Sequence, residues 1–379
     1  MSLLYTALGT IEYGYEPVVA LIKPSNRLHS LYNDNGIQTI ELTHIPRLLT
    51  WSASEGKRWN PIMWYSLIKT KLKWNRGKQQ LREVIEEYDL VHLNSVSLSN
   101  AAELLIQENK PFVWHVREQG PTSKGFRYKF IQKNLKKAPA VIFLSKAEQH
   151  SWMENYSTGS VVHNFVDFSN FDFKKVDAEK VRRKYNISEE NKVILYVGGL
   201  KKHKGILTLI NSMKDVLEKH EKVVFLMPDS KPKIASNGNI QGRFAKEVMS
   251  KLDEKGLLEN CILTDFDPDI ASFFAASDIV VFPATVPHFA RPVVEAGSMK
   301  KPVIVSNLPV LDEIVDDGKT GFLFQKGNSE DLSIKINSLL DNPGLIDEMG
   351  ELGFDKAIRD FNYDIQVKKI IEVYSSIEK

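Results

Sequence analysis

The sequence predicts an α/β protein made of two doubly wound, parallel-sheet domains. Short apolar runs recur along the chain, each followed by a segment of helical periodicity. The runs are unbroken rather than alternating, as expected of strands covered on both faces. The 379 residues are also too many for a single comfortable core.

The chain opens MSLLYTALGTIEYGYEPVVAL, a helical pattern that runs into the strand VVALI at 18–22. A doubly wound domain ordinarily opens with a strand and a glycine-bearing turn. The expectation is therefore that the first strand of this domain is missing from the chain. LVHL (90–93), FVWHV (112–116) and AVIFL (140–144) continue the first series. The second comprises VILYV (193–197), VVFLM (223–227), CIL (261–263), IVVF (279–282) and PVIV (302–305). Between them the polar stretch FDFKKVDAEKVRRKYNISEENK (171–192) reads as the join. The predicted boundaries are 1–172, 173–360, and a helix at 361–379 that packs back on the first domain. Ligands bind at the carboxyl ends of such strands, which makes the cleft between two facing sheets the expected site.

Composition excludes several classes. Fifty basic and 48 acidic residues leave a net charge of +2, too balanced for a dedicated nucleic-acid binder. The single cysteine, Cys261, cannot form an internal disulfide and fits a reducing compartment. There is no apolar run of spanning length and no leader pattern, so the expectation is a cytoplasmic protein, with or without contact to a membrane surface. No Gly-x-Gly-x-x-Gly follows a strand, which argues against a dehydrogenase.

The chemistry concentrates in PHFARPVVEAG (287–297), directly after the apolar run IVVF. Pro292 has no amide proton and a fixed φ, which suits a first helical turn. Amides of Phe289, Ala290, Arg291 and Val293 would then form an anion site at the helix start. Glu295 lies in the first turns of that helix, able to accept hydrogen bonds from ligand hydroxyls, and His288 and Arg291 sit on the preceding loop. On spacing alone, Glu295 favouring the helix dipole and Arg291 as a solvated cation is an equal reading.

The stretch PHFARPVVEAGSMKKPVIVSNLPVLDEIVDDGKTGFLFQKGN (287–328) resembles retaining glycosyltransferases of the GT-B fold, family four. YVGGLKKHKGI (196–206) resembles their phosphate-binding turn, VVHNFVDFSNF (161–171) their passage between two Rossmann-like domains, and VWHVRE (113–118) their acceptor-side strand with its histidine. Four motifs in the right order make a specific resemblance over nearly the whole chain. It implies that Glu295 holds the ribose of the donor nucleotide, and that Lys204, with Gly198 and Gly199 in its turn, neutralises the diphosphate. It implies that His115 lies near the reacting sugar, that Asn164 and Asp167 belong to the interdomain passage, and that Ser145 ends the last acceptor-domain strand.

Two positions depart from the family pattern. Pro287 stands where the first glutamate of the pair would be, with His288 as a partial replacement. Gly199 stands where the turn has an arginine, leaving Lys204, with Lys201, Lys202 or Arg291 as substitutes. The resemblance implies a UDP- or GDP-linked sugar as donor substrate, no cofactor, no metal, and retention by same-face attack. Met227-Pro228-Asp229 and Asp265-Phe266-Asp267 are the expected surroundings of the donor base.

The stretch from Lys57 to Lys78 interleaves three tryptophans and a tyrosine with lysines and arginines. Such a pattern suits a membrane interface and a lipid-linked acceptor, or an amphipathic helix with a solvated basic face. The leading expectation is a glycosyltransferase (EC 2.4 class) that builds cell-surface polysaccharide or glycolipid on a glycan or lipid-linked acceptor. The alternatives are a sugar-nucleotide epimerase, a glycogen-synthase-like extender, or a catalytically silent sugar-nucleotide-binding module.

Overall fold

A computed structural model describes residues 2–46, 61–121, 124–153, 158–236 and 238–378. The aromatic and basic stretch starting at Lys57 lies outside them up to residue 60, and the side chains of 61–72 lie outside them too. The chain divides into two compact units, Met1–Asn164 with Asp364–Lys379, and Phe165–Tyr363.

In the first unit the strands are β1 (Val18–Leu21), β2 (Gln38–Glu41), β3 (Val91–Leu93), β4 (Phe112–Val116), β5 (Ala140–Phe143) and β6 (Ser160–Val161). Among the described residues they form two parallel sheets rather than one, β1-β2 and β3-β4-β5-β6. Each sheet has its own core. Leu4, Val19, Leu21, Tyr32 and Ile37 pack around the first pair. Phe112, Trp114, Val116 and Phe143 fill one face of the larger sheet. Its other face presents Val113 and Ile142, which pack with Ile370, Val373 and Tyr374 of the last helix, Tyr363–Ser375. Strand alternation separates these sets, since neighbouring residues of β4 point to opposite faces.

The second unit carries one six-stranded sheet of parallel pairs. Its strands are β7 (Lys192–Tyr196), β8 (Val223–Met227), β9 (Cys261–Leu263), β10 (Ile279–Phe282), β11 (Val303–Ser306) and β12 (Gly321–Phe324). The order is β12-β11-β10-β7-β8-β9, so the chain reverses direction across the sheet between β7 and β10. Val193 to Tyr196 and all four residues of β10 are buried, as continuous apolar strands between two helical layers must be. Fully burying each such valine, isoleucine or leucine is worth about 1.5–3 kcal/mol.

The polar stretch read as the join belongs wholly to the second unit. Phe165, Phe171 and Phe173 meet Tyr363, Phe274 and Phe354 edge to face, at centroid distances of 5.1, 5.9 and 5.2 Å. The stretch also folds into a helix, Ala178–Lys184, whose N-cap Asp177 accepts from the Glu179 amide at 2.9 Å. Lys184 then pairs with Asp267 at 2.9 Å. Its polarity is that of a surface helix, with only Val181 turned inward.

Candidate active site at the sheet's switch point

In open α/β sheets ligands bind where the strand order reverses. In the second unit the turn after β7 and the loop after β10 leave the sheet side by side at that point. They are joined by backbone. The Thr285 amide donates to the His203 carbonyl at 2.9 Å, and the Gly205 backbone has φ +75°, packed so closely that a Cβ would overlap the Pro283 carbonyl. Glycine is required there on both counts. The buried Tyr196 hydroxyl, at the end of β7, donates to the Gly199 carbonyl at 3.1 Å and holds the turn from below. Gly198 leaves room for that hydroxyl, which a Cβ would strike. Gly199 has φ +62°, and a side chain there would sit 3.0 Å from the Asp229 carbonyl. An arginine at this position of the turn would carry that backbone strain and that close contact.

This geometry brings Lys204 to His288, with Nζ 2.6 Å from Nε2. His288 Nδ1 lies 2.8 Å from the Val286 carbonyl. The hydrogen-bond network assigns the proton to Nδ1, so Nε2 accepts from the ammonium. Nζ also lies 4.9 Å from the centre of the Phe282 ring, an apolar wall with a favourable face for a cation. Burial, and then Lys201, hold the Lys204 pKa down to about 8. Burial, and then the Lys204 charge, hold His288 down to about 4, so the imidazole is neutral at pH 7. Lys201 and Lys202 are exposed on the same turn.

The next helix, Arg291–Ser298, starts within the same loop. Pro292 lies in its first turn and the Val293 amide turns back to the Ala290 carbonyl at 3.1 Å. The amides of Ala290 and Arg291 precede the first intrahelical bonds, at the positive end of the helix dipole. The helix is seated by close approach: Gly297 packs where a Cβ would lie 2.8 Å from the Gly353 carbonyl of helix Pro343–Phe361. Glu295 is buried, and Arg291 Nη2 donates to its Oε1 at 2.8 Å, one turn away. Burial pushes the Glu295 carboxyl pKa up, and Arg291 opposes that shift. Arg291 is therefore a first-turn helix residue engaged with Glu295, not a loop cation. Its side chain is still 39% exposed, so it can hydrate if Glu295 loses its charge. Glu295→Gln is expected to weaken nucleotide binding about 10- to 100-fold with melting of the free protein nearly unchanged. Calorimetric titration beside a melting curve checks both, and a large stability loss with intact binding would refute the ribose role.

Of the remaining sequence-predicted residues, His115, Ser145 and Asn164 belong to the first unit and Asp167 to the second. His115 is the fourth residue of β4, 2% exposed, on the face covered by helix Tyr363–Ser375. Its ring centre is 5.3 Å from that of His92, whose Nδ1 is 2.6 Å from the Tyr374 hydroxyl. Burial, then Arg117 and His92, drive the His115 pKa well down. Beyond the strand's carboxyl end stand Arg117 and Glu118. Arg117 donates to Asn94, just past β3, and to Asn164 Oδ1 at 2.7 Å. The Glu118 carboxylate accepts from the Val96 amide at 2.9 Å. In the sequence only their position in VRE, directly after the strand, marks these two. Asp167 caps a turn in the second unit, accepting from the Ser169 amide at 2.9 Å and Asn170 Nδ2 at 2.6 Å. Ser145 is the cap of helix Lys146–Met153 and accepts from the Glu148 amide at 3.0 Å.

Residues 177–355 match the family model described as glycosyl transferases group 1. Over 277 residues the chain is 27% identical to the capsular polysaccharide biosynthesis glycosyltransferase CapM of Staphylococcus aureus, covering 68% of each chain. An uncharacterized glycosyltransferase of Methanocaldococcus jannaschii, MJ1607, is 22% identical over 97% of this chain and 91% of its own. Among solved structures, Anabaena HepE in complex with UDP and glucose superposes with a TM-score of 0.80 at 20% identity, over 99% of this chain and 95% of that one. Sucrose-phosphate synthase of Thermosynechococcus elongatus gives 0.74 at 17% identity, over 98% and 91%. The family match covers most of the second unit, and the whole-chain likeness to solved glycosyltransferase structures shows the GT-B fold.

Proposed function

We propose that the chain transfers a sugar from a nucleoside-diphosphate donor to a glycan or lipid-linked acceptor, with retention and without a metal, in the synthesis of a surface polysaccharide or glycolipid. The observation that carries the proposal is the Lys204–His288 pair beside the start of helix Arg291–Ser298, at the switch point of the second sheet. Support comes from two names: HepE was solved with UDP and with UDP-glucose, and CapM is named for capsular polysaccharide.

In the proposed reaction the bond between the anomeric carbon and the diphosphate oxygen breaks as the acceptor oxygen bonds to the same face. The acceptor's proton passes to the departing phosphate. Charge grows on phosphate oxygens, where the ammonium and the amides of Ala290 and Arg291 would already be oriented to meet it. No side-chain nucleophile is required. Glu295 would hold the ribose hydroxyls from the helix. His288, neutral and accepting from Lys204, orients that ammonium.

The test is incubation with UDP- and GDP-linked sugars, followed by nucleoside diphosphate release and the anomeric configuration of the product by NMR. Release with a retained anomer supports the proposal, and an inverted anomer sinks the retaining mechanism. A second reading, a sugar-nucleotide-binding module without turnover, draws on Pro287 and on the Glu295–Arg291 pair. Binding without release with every donor and acceptor tried would favour it.

A pH dependence follows from the lowered lysine pKa. Below about 8 the ammonium is charged and attracts the diphosphate; above it the free protein must take up a proton to bind. Donor affinity is expected to be constant near pH 7 and to fall as pH rises through 8, by up to about tenfold per unit. Titrations from pH 6.5 to 9.5 check this, and a flat profile would remove Lys204 from the phosphate site.

A further inference from the structure

The helix Phe126–Leu135 of the first unit has two chemically opposite faces. Tyr128, Ile131 and Leu135 are buried in the core of the four-stranded sheet, and the Tyr128 ring stacks on Trp152 at 5.6 Å. The other side presents Lys129 and Lys133, continued by Lys136 and Lys137 past the last turn, all exposed. Positions 126, 129, 133 and 137 fall on one stripe at the helical repeat, opposite the buried set. At the head of the stripe stands Phe126, 85% exposed, preceded by the exposed Lys124. From residue 119 to 147 the sequence holds seven lysines and arginines and no aspartate or glutamate.

A solvated cationic stripe alone would be unremarkable on a protein surface. A phenylalanine almost wholly in water at its tip is not, because nothing in the fold gains from exposing it. A cationic face with an aromatic at one end matches the boundary of a negatively charged bilayer, where the ring enters the interface and the ammonium groups meet headgroup phosphates. The balanced total charge of +2 disfavours a nucleic-acid surface and leaves this local excess unexplained by bulk electrostatics.

We infer that this face docks the protein on an anionic membrane surface, with the Phe126 ring inserted and Lys129, Lys133 and Lys137 against the headgroups. The inference deepens the lipid-linked-acceptor reading, which gives such docking its purpose. Vesicle binding is measured without donor, so either can fail while the other stands.

The test is co-sedimentation of the full chain with vesicles of phosphatidylcholine alone and of equal parts phosphatidylcholine and phosphatidylglycerol, at low and high salt. Binding to the anionic vesicles only, lost in high salt, is expected. Lys129→Glu/Lys133→Glu/Lys137→Glu should lower partitioning by about 100-fold or more, at roughly fivefold for each cation removed. Phe126→Ser should lower it by about tenfold. The same charge change on the second unit, Lys219→Glu/Lys246→Glu/Lys255→Glu, should leave it within about twofold, and an unchanged circular dichroism spectrum and melting curve report that each variant is folded. Equal binding to neutral vesicles, full binding by the first triple variant, or an equal loss in the second would overturn the inference. So would binding to polyuridylate with none to vesicles, which would make the face a nucleic-acid surface.

Discussion

Lys204→Ala is expected to lower sugar-transfer turnover by about 100- to 1000-fold while changing acceptor affinity little. The ammonium is desolvated against Phe282 and held by a neutral imidazole, and neither neighbour can replace its charge. Negative charge on the leaving diphosphate grows toward the transition state, so the loss should fall more on kcat than on ground-state donor binding. Lys201 and Lys202 are exposed on the same turn, where solvent screens them. His288→Ala should be milder, since it loosens the lysine without removing its charge. Steady-state kinetics on both variants separate the roles. A Lys204→Ala enzyme within tenfold of the parent would mean that another group answers the charge.

Gly205→Ala is expected to destabilise the second unit by about 3 kcal/mol or more, the sum of a left-handed backbone cost and a steric overlap with a carbonyl. The added Cβ cannot be relieved by a side-chain rotation, because the struck atom is the Pro283 backbone oxygen. Either the turn after β7 or the exit of β10 must move. Lys204 is the residue just before the strained bond, so donor binding should fall together with stability. Gly318→Ala provides the contrast: φ is +73°, but no atom lies within 4 Å of its Cβ position. That variant should lose only about 1 kcal/mol, the backbone term alone. Differential scanning calorimetry checks the pair, and equal melting temperatures for the two variants would contradict the close approach.

Much of the second unit was legible because its central strands are continuous apolar runs. VILYV, VVFLM and IVVF cover β7, β8 and β10 almost residue for residue. The strands that escaped notice are at sheet edges. Gln38–Glu41 is polar and half-exposed, Ser160–Val161 is only two residues, and Gly321–Phe324 lies inside the turn motif DGKTGFLF. Edge strands need not be apolar on both faces, so periodicity does not mark them. The boundary between units hid for a different reason. Polarity marked 171–192, but attachment is decided by Phe165, Phe171 and Phe173, whose ring partners are distant in sequence.

At the site, the same division holds. Pro292 at a helix start and the glycine turn around Lys204 could be read from local chemistry. Pairing of Lys204 with His288 could not, because it joins residues 84 apart in the chain. Arg291 and Glu295 have the spacing of a helical ion pair, which competes directly with an assignment of Arg291 to the diphosphate. His115 stands on the strand that the motif implies, with its side chain buried beside His92. The alternation along β4 turns it toward helix Tyr363–Ser375, and the side chains past the strand end are Arg117 and Glu118.

The most direct measurement is a crystal structure of the protein with UDP. The expected result is the terminal phosphate within about 3 Å of Lys204 Nζ and of the Ala290 or Arg291 amide, with the ribose hydroxyls on Glu295. A diphosphate bound away from the exits of β7 and β10, or a Lys204 ammonium that stays on His288 with no phosphate oxygen in reach, would contradict it.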